Sequence, residues 1–307
     1  MTHQPATGPP AGDADPVGVV TVTYSPGAAL DTLLDSLAAA TSRPVRVVLA
    51  DNGSTDGSVE RAATRAGVRL LRTGSNLGYG AAANAGVAVL DPAISWVLVI
   101  NPDVVLGAGS IDALLAAAER HPGAGAVGPL IATPEGVVYP SARQLPSIGA
   151  GMGHALFGWW WPSNPWTRRY RQDAAEPVER TAGWLSGSCL FLRREAFAQV
   201  DGFDPAYFMY FEDVDLGGRL AAAGWSSVYC PTARVVHQGG HSTDRAPAAM
   251  ADAHHRSAYR YLSRRYSAPW QAPVRLALRV GLSARAFASK RSGAMAAGAS
   301  LPPRRIN

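Results

Sequence analysis

The chain is poor in cysteine, in charge and in long apolar runs, and each shortage removes a class of protein. Cys189 and Cys230 are the only cysteines in 307 residues and are not closely spaced, which argues against a disulfide framework and fits a reducing compartment. No uninterrupted apolar run approaches the roughly 20 residues of a membrane-spanning helix, so any contact with a bilayer is expected to be peripheral. Charged residues make up 17% of the chain against 47% hydrophobic, which supports a substantial core and a surface that meets something other than water. Acid is missing altogether after Asp252, whereas cations continue from Arg256 through Arg275, Arg279, Lys290 and Arg305. The net charge of +5 is therefore local: the chain up to Asp252 is acidic on balance and its end is basic, a pattern that points to an anionic partner.

What is present is an alternation. Residues 17–24 form a β-branched run suited to a buried strand, and 28–40 carry helical spacing. Strand and helix recur through 45–50, 58–66, 68–72, 80–90, 96–100 and 110–120, the rhythm of a parallel sheet covered on both faces. Short strands are expected at 126–131 and 137–143. Residues 144–180 are irregular and hold Phe157-Gly158-Trp159-Trp160-Trp161-Pro162, the composition of a functional loop. Regular structure is expected again at 181–193, with helices at 194–200 and 213–223, a strand near 226–229, and helix from His254 to about Arg291 broken near Pro269 and Pro273. This divides the chain into a disordered leader (1–16) without the apolar core of a secretory signal, an α/β domain (17–250), a basic amphipathic helical extension (251–291) and a disordered tail (292–307).

Several stretches can carry chemistry. Asn101-Pro102-Asp103 ends the apolar run Trp96-Val97-Leu98-Val99-Ile100, where an open α/β sheet places its ligand crevice, and a carboxylate there suits a metal held against a nucleotide diphosphate. Asp51-Asn52-Gly53-Ser54-Thr55-Asp56-Gly57 follows the second strand, and a turn and helix start alone explain its residue types. Gly74-Ser75-Asn76-Leu77-Gly78-Tyr79-Gly80 lacks the G-x-G-x-x-G spacing and follows the third strand, which excludes a dinucleotide fingerprint. Glu212-Asp213-Val214-Asp215-Leu216 opens a helix whose Leu216 and Leu220 share a face; its acids suit the positive helix end, which keeps a carboxylate ionised and able to accept a proton. Ser186 lacks the G-x-S-x-G elbow of a hydrolase. His237 and His241 near Cys230 raise zinc as an alternative, but the Asp103 context favours a hard cation.

Taken in order, Val19 to Ser25, Asp51 to Ser58, Asn76-Leu77-Gly78-Tyr79-Gly80 with Asn84, Asn101-Pro102-Asp103, Gly183-Trp184-Leu185-Ser186-Gly187 and Phe211 to Leu216 resemble the family 2 inverting glycosyltransferases, over roughly residues 17–245. The resemblance implies a GT-A type α/β fold with a C-terminal helical extension. It places Thr23, Asp51, Asn76, Gly78, Asn101 and Asp103 on a nucleotide-sugar donor, with Asp51 accepting from the base imide. It makes Asp103 and His237 the protein ligands of Mg²⁺ or Mn²⁺, Asp213 the general base, and Trp184, Gly187 and Glu212 the acceptor side. One departure stands out: Asn101 replaces the first acid of the family's Asp-x-Asp, keeping an acceptor oxygen but losing a charge. Within the family the motifs look most like bacterial rhamnosyltransferases. That implies dTDP-L-rhamnose as donor, a polyprenyl-diphosphate-linked N-acetylglucosamine as acceptor, and a cytoplasmic enzyme held peripherally on the anionic inner face of the membrane. No nucleic-acid module accompanies the basic end, so no nucleic-acid partner is expected. The alternatives are a transferase of galactofuranose or glucose onto a polysaccharide, and a non-catalytic nucleotide-sugar-binding protein at the membrane.

Overall fold

Residues 15–146, 177–239 and 247–281 are described by the computed structural model; all but the last two residues of the expected leader, the tryptophan-rich segment, His241 and the chain beyond 281 lie outside them. The chain order is β1 (Val17–Thr23), α1 (Ala28–Ala40), β2 (Val45–Asp51), α2 (Ser58–Ala62), β3 (Val68–Arg72), α3 (Tyr79–Ala88), β4 (Trp96–Ile100), β5 (Val104–Leu106), α4 (Ser110–Arg120), β6 (Ala124–Ala132), β7 (Val138–Tyr139), β8 (Ala142–Arg143), β9 (Arg180–Ala182), β10 (Trp184–Leu185), β11 (Cys189–Arg193), α5 (Arg194–Gln199), α6 (Glu212–Ala222), β12 (Ser226–His237) and α7 (Pro247–Arg265). A 3-10 turn at Pro269–Gln271 leads into helix at 272–281. Among the described residues no helix is long and apolar enough to cross a membrane.

A 10-stranded sheet runs β3-β2-β1-β4-β11-β6-β12-β5, with β7 on β6 and β9 on β12, while β10 and β8 form a separate pair. β1 to β4 are parallel as expected, and their register sets Thr23 beside Asp51 and Asp51 beside Arg72 at the carboxyl ends. Beyond β4 the sheet is mixed, because β11 runs antiparallel to both β4 and β6. An apolar run buried on both faces carries no mark of its direction. The expected strand at 137–143 splits at Pro140, which cannot donate to a ladder, into β7 and β8. β12 outruns its expected end near 229 and reaches His237, with a register shift between Cys230 and Arg234 around Pro231. β5 was not expected; it pairs Val104 with His237.

Period-two alternation in the central strands feeds two cores. Val19, Leu49, Leu98 and Ile100 face α1 and α4, where Leu30, Leu33, Ile111 and Leu114 are buried at helical spacing. Val20, Val48 and Val99 face the other way, against Ala82 and Ala83 of α3, Phe197 of α5, and Leu216 and Leu220 of α6. A small third cluster of Tyr207, Val214 and Tyr261, with Trp184 and Phe211 beside it, joins α6 to α7. Because α7 begins at Pro247 and buries Ala253, Ala258 and Tyr261, the first part of the C-terminal helical region belongs to the body rather than standing off it. Arg260 and Arg264, part of the basic end, both pair with Asp204.

Candidate active site

The ends of β1, β2 and β3 build the first wall. Asp51 is 1% exposed and its carboxylate accepts from Thr23 Oγ1 at 3.0 Å, from the Ser54 N–H at 3.0 Å and from Arg72 Nη1 at 3.0 Å. Arg72 also reaches Glu60. Thr23 and Asp51 therefore come together as expected, but both are heavily engaged in holding the turn, which leaves Asp51 little spare acceptor capacity for a base. Asn52 does more than the sequence indicated: its amide donates to the Gly78 carbonyl at 3.1 Å, and its oxygen accepts from Thr73 Oγ1 and the Leu77 N–H. Asn76 is exposed, and its oxygen accepts from the Gly78 N–H at 3.0 Å, so its side chain closes its own loop. Gly78 is required outright: φ is +85°, and a Cβ would stand 2.3 Å from the Phe208 carbonyl oxygen.

The second group sits where β4 ends. His237 Nε2 lies 3.2 Å from Asp103 Oδ1 and 3.4 Å from Asn101 Nδ2, brought there by the β5 to β12 pairing and by the Gln238 N–H donating to the Asp103 carbonyl at 3.0 Å. A carboxylate oxygen, an imidazole nitrogen and an amide gathered within 3.4 Å are a donor set suited to a divalent cation. The residues thus fit a divalent cation with Asp103 and His237 as its protein ligands, and among the described residues no third Asp, Glu, His or Cys joins them.

The third group faces this one across residues 186–189. The Asn101 N–H donates to the Ser188 carbonyl at 2.9 Å, while the neighbouring Gly187 N–H donates to Asp213 Oδ2 at 2.9 Å. The two carboxylate sites are thus linked through adjacent residues of one strand-entry segment. Asp213 opens α6 and keeps access to solvent although protein surrounds it. Burial raises its carboxyl above the usual range, against the Gly187 and Val214 N–H groups and the Arg143 charge. The expected helix-end effect is therefore outweighed, and this carboxylate has a higher proton affinity than a surface aspartate. Glu212 is 7% exposed, its Oε2 has no partner, and burial followed by the Asp213 charge pushes it up to about 8. Tyr79, missed in the sequence reading, donates to the Gly187 carbonyl at 2.6 Å; burial, then Glu212 and Asp213, push its hydroxyl well up. Its position between Gly78 and Gly80 was the available signal.

Trp184 is half-buried, with its indole N–H on the Gln144 carbonyl at 3.1 Å and the Arg143 guanidinium 5.8 Å from its ring. Part of it packs against the third cluster, so only part can face a sugar. Asp215 pairs with Arg219 at 2.6 Å, which engages its carboxylate within α6. Asn84 holds the Phe203 backbone from both its oxygen and its amide.

Comparisons with known proteins agree with this arrangement. Residues 18–201 match the family model of Glycosyl transferase family 2. The chain is 57% identical over 288 residues to the N-acetylglucosaminyl-diphospho-decaprenol L-rhamnosyltransferase of Mycobacterium tuberculosis (strain ATCC 25618 / H37Rv), covering 91% of this chain and 94% of that one. Among solved structures it resembles mannosyltransferase PcManGT from Pyrobaculum calidifontis in complex with GDP-Man and Mn²⁺, with a TM-score of 0.56 at 17% identity over 96% of this chain and 84% of that one. It also resembles GalNAc-T7 with UDP, GalNAc and Mn²⁺, with a TM-score of 0.54 at 15% identity over 96% of this chain and 60% of that one. Those likenesses concern the fold, which is GT-A. The chain belongs to glycosyl transferase family 2 and is a glycosyltransferase.

Proposed function

We propose that the protein transfers L-rhamnose from dTDP-L-rhamnose, with inversion, to N-acetylglucosaminyl-diphospho-polyprenol. The observation that carries this reading is the 57% identity to a relative of that specificity, extending over 94% of its length. The site geometry supports a chemistry for this transfer. Asp213 takes the proton of the acceptor hydroxyl as its oxygen bonds to the anomeric carbon and the bond from that carbon to the diphosphate breaks. The raised carboxyl of Asp213 brings its proton affinity closer to working pH, which favours general-base catalysis. Gly187 fixes the direction of that carboxylate, and Tyr79 fixes Gly187. Asp103 and His237 would hold a divalent cation, Mg²⁺ or Mn²⁺, whose contribution is to neutralise the departing dTDP. Thr23, Asp51, Asn76, Gly78 and Asn101 shape the donor wall; Trp184, Gly187 and Glu212 line the acceptor side.

The acceptor lies in a membrane, and the end of the chain suits one. Trp270, Leu276 and Val280 are 77%, 64% and 61% exposed, next to Arg275 and the exposed Arg279. Exposed aromatic and aliphatic side chains among cations favour an anionic interface, here the inner leaflet reached from the cytoplasm. A donor panel tests the specificity: dTDP-L-rhamnose, UDP-galactofuranose and UDP-glucose, each with a divalent cation and a short polyprenyl-diphospho-GlcNAc analogue, read by mass spectrometry. Consumption of dTDP-L-rhamnose with a deoxyhexose added to the analogue is the expected outcome. Transfer of another sugar would replace the donor assignment, and no turnover with any donor would favour a non-catalytic binding protein.

A further inference from the structure

Among the described residues other than glycine, left-handed backbone angles occur at Ser25, Asp201, Tyr210 and Phe211, with φ of 51°, 57°, 67° and 67°. The last three lie between α5 and α6, and Phe211 immediately precedes Glu212 and Asp213. Bulky side chains keep such angles only where their surroundings over-determine them. Here α7 supplies much of that support. Ser257 Oγ donates to the Met209 carbonyl at 2.8 Å, the His254 ring stands edge-on to Tyr210 and Phe211 at 5.4 and 5.5 Å, and Tyr261 packs on Phe211 at 5.7 Å. At the start of the loop, Arg260 meets the Asp204 carboxylate at 2.9 Å, Arg264 meets the same oxygen, and the Arg260 guanidinium lies 5.3 Å from the centre of the Tyr207 ring. From the other side α3 holds the loop by the Tyr79 N–H on the Phe208 carbonyl at 2.9 Å and by Asn84 on Phe203.

We propose that Asp204, Arg260 and Arg264 are positioning residues for the transfer reaction: through them α7 holds the loop at 204–211 so that Asp213 meets the Gly187 N–H in the cleft. The proposal rests on the reading of Asp213 as the base. It gives the C-terminal helix, which lies beyond the family match at 18–201, a part in turnover as well as in folding.

The test is Asp204→Asn in the full-length protein, which keeps shape and removes charge. Its kcat should fall about 10–100-fold, the size of effect expected from misplacing a catalytic group by an ångström or so, while the donor KM changes by less than about twofold. Hydrogen exchange should quicken at amides 204–214 and stay unchanged in β1 to β4. Asp204→Glu, and the double variant Arg260→Lys with Arg264→Lys, should restore most of kcat. A purely structural role would lower kcat only in proportion to the folded fraction, read by circular dichroism. Should Asp204→Asn fail to fold, Arg264→Ala, at a side chain 53% exposed, carries the same test with a smaller loss. Unchanged kcat with quickened exchange would overturn the proposal, as would a loss of donor affinity equal to the loss in kcat. A normal rate for Asp213→Asn sinks the base assignment; a normal rate for Asp204→Asn beside an inactive Asp213→Asn sinks the clamp alone.

Discussion

Glu212→Gln should give a more stable protein and a poorer enzyme, with the gain in stability growing as pH rises. The Glu212 side chain is buried beside Asp213, its Oε2 has no partner, and burial with the Asp213 charge moves its carboxyl from 4.5 to about 8. Between those values the native state holds a proton that the unfolded chain has released, so stability falls as pH rises across that window and levels off above it. At about 1.4 kcal/mol for each pH unit of displacement, the cost above pH 8 is on the order of 3–5 kcal/mol. Gln has the same shape and does not ionise, which removes this slope; near pH 7 the variant should gain about 2–3 kcal/mol. Urea unfolding of both proteins from about pH 5 to pH 9 measures it, and the difference between the two curves cancels the groups they share. Parallel curves, or a Gln variant less stable at alkaline pH, would refute the reasoning. Activity should fall because a destabilising carboxyl persists beside the base only where the site uses it.

Other consequences are as direct. Chelation should abolish transfer and Mg²⁺ or Mn²⁺ should restore it, but not in Asp103→Ala, whose cation binding by calorimetry should be lost; full activity of the native protein in chelator would remove the metal from the account. Gly78→Ala places a Cβ against the Phe208 carbonyl at a positive φ, so unfolding should be easier by about 2 kcal/mol or more, and an unchanged denaturation midpoint would contradict the close approach. The triple variant Trp270→Ser, Leu276→Ser, Val280→Ser changes exposed side chains alone and should float poorly with anionic vesicles, as should the native protein in high salt. Equal recovery with lipid would place the membrane contact elsewhere.

Much of the fold was legible because β1, β2 and β4 are buried on both faces and read as apolar runs followed by turn residues and helical spacing. Strand direction was not. Nothing in Cys189-Leu190-Phe191-Leu192 tells whether it runs with or against β4, because hydrophobic periodicity is the same in both senses. At the site, residue types and order marked Asp51, Asn101, Asp103, Asp213 and His237. Their connection depends on partners far apart in sequence, Val104 with His237 and Asn101 with Ser188, which no local pattern displays. Asp215 lies in the same acidic cluster as Asp213, and its spacing of four from Arg219 already pointed to a helical ion pair. The basic end was read as a surface because a sequence shows where cations cluster and not which acids they meet; Asp204, more than fifty residues earlier, takes Arg260 and Arg264.

Asp213→Asn, assayed at once for turnover and for donor binding, bears most directly on the claim that this carboxylate drives transfer. Asn retains an oxygen for the Gly187 N–H, so the cleft should keep its shape and the donor dissociation constant should change little. Loss of a general base predicts kcat lower by about 10²–10⁴-fold with dTDP-L-rhamnose and the polyprenyl-diphospho-GlcNAc analogue. A variant that binds donor normally and turns over at nearly the native rate would contradict the account.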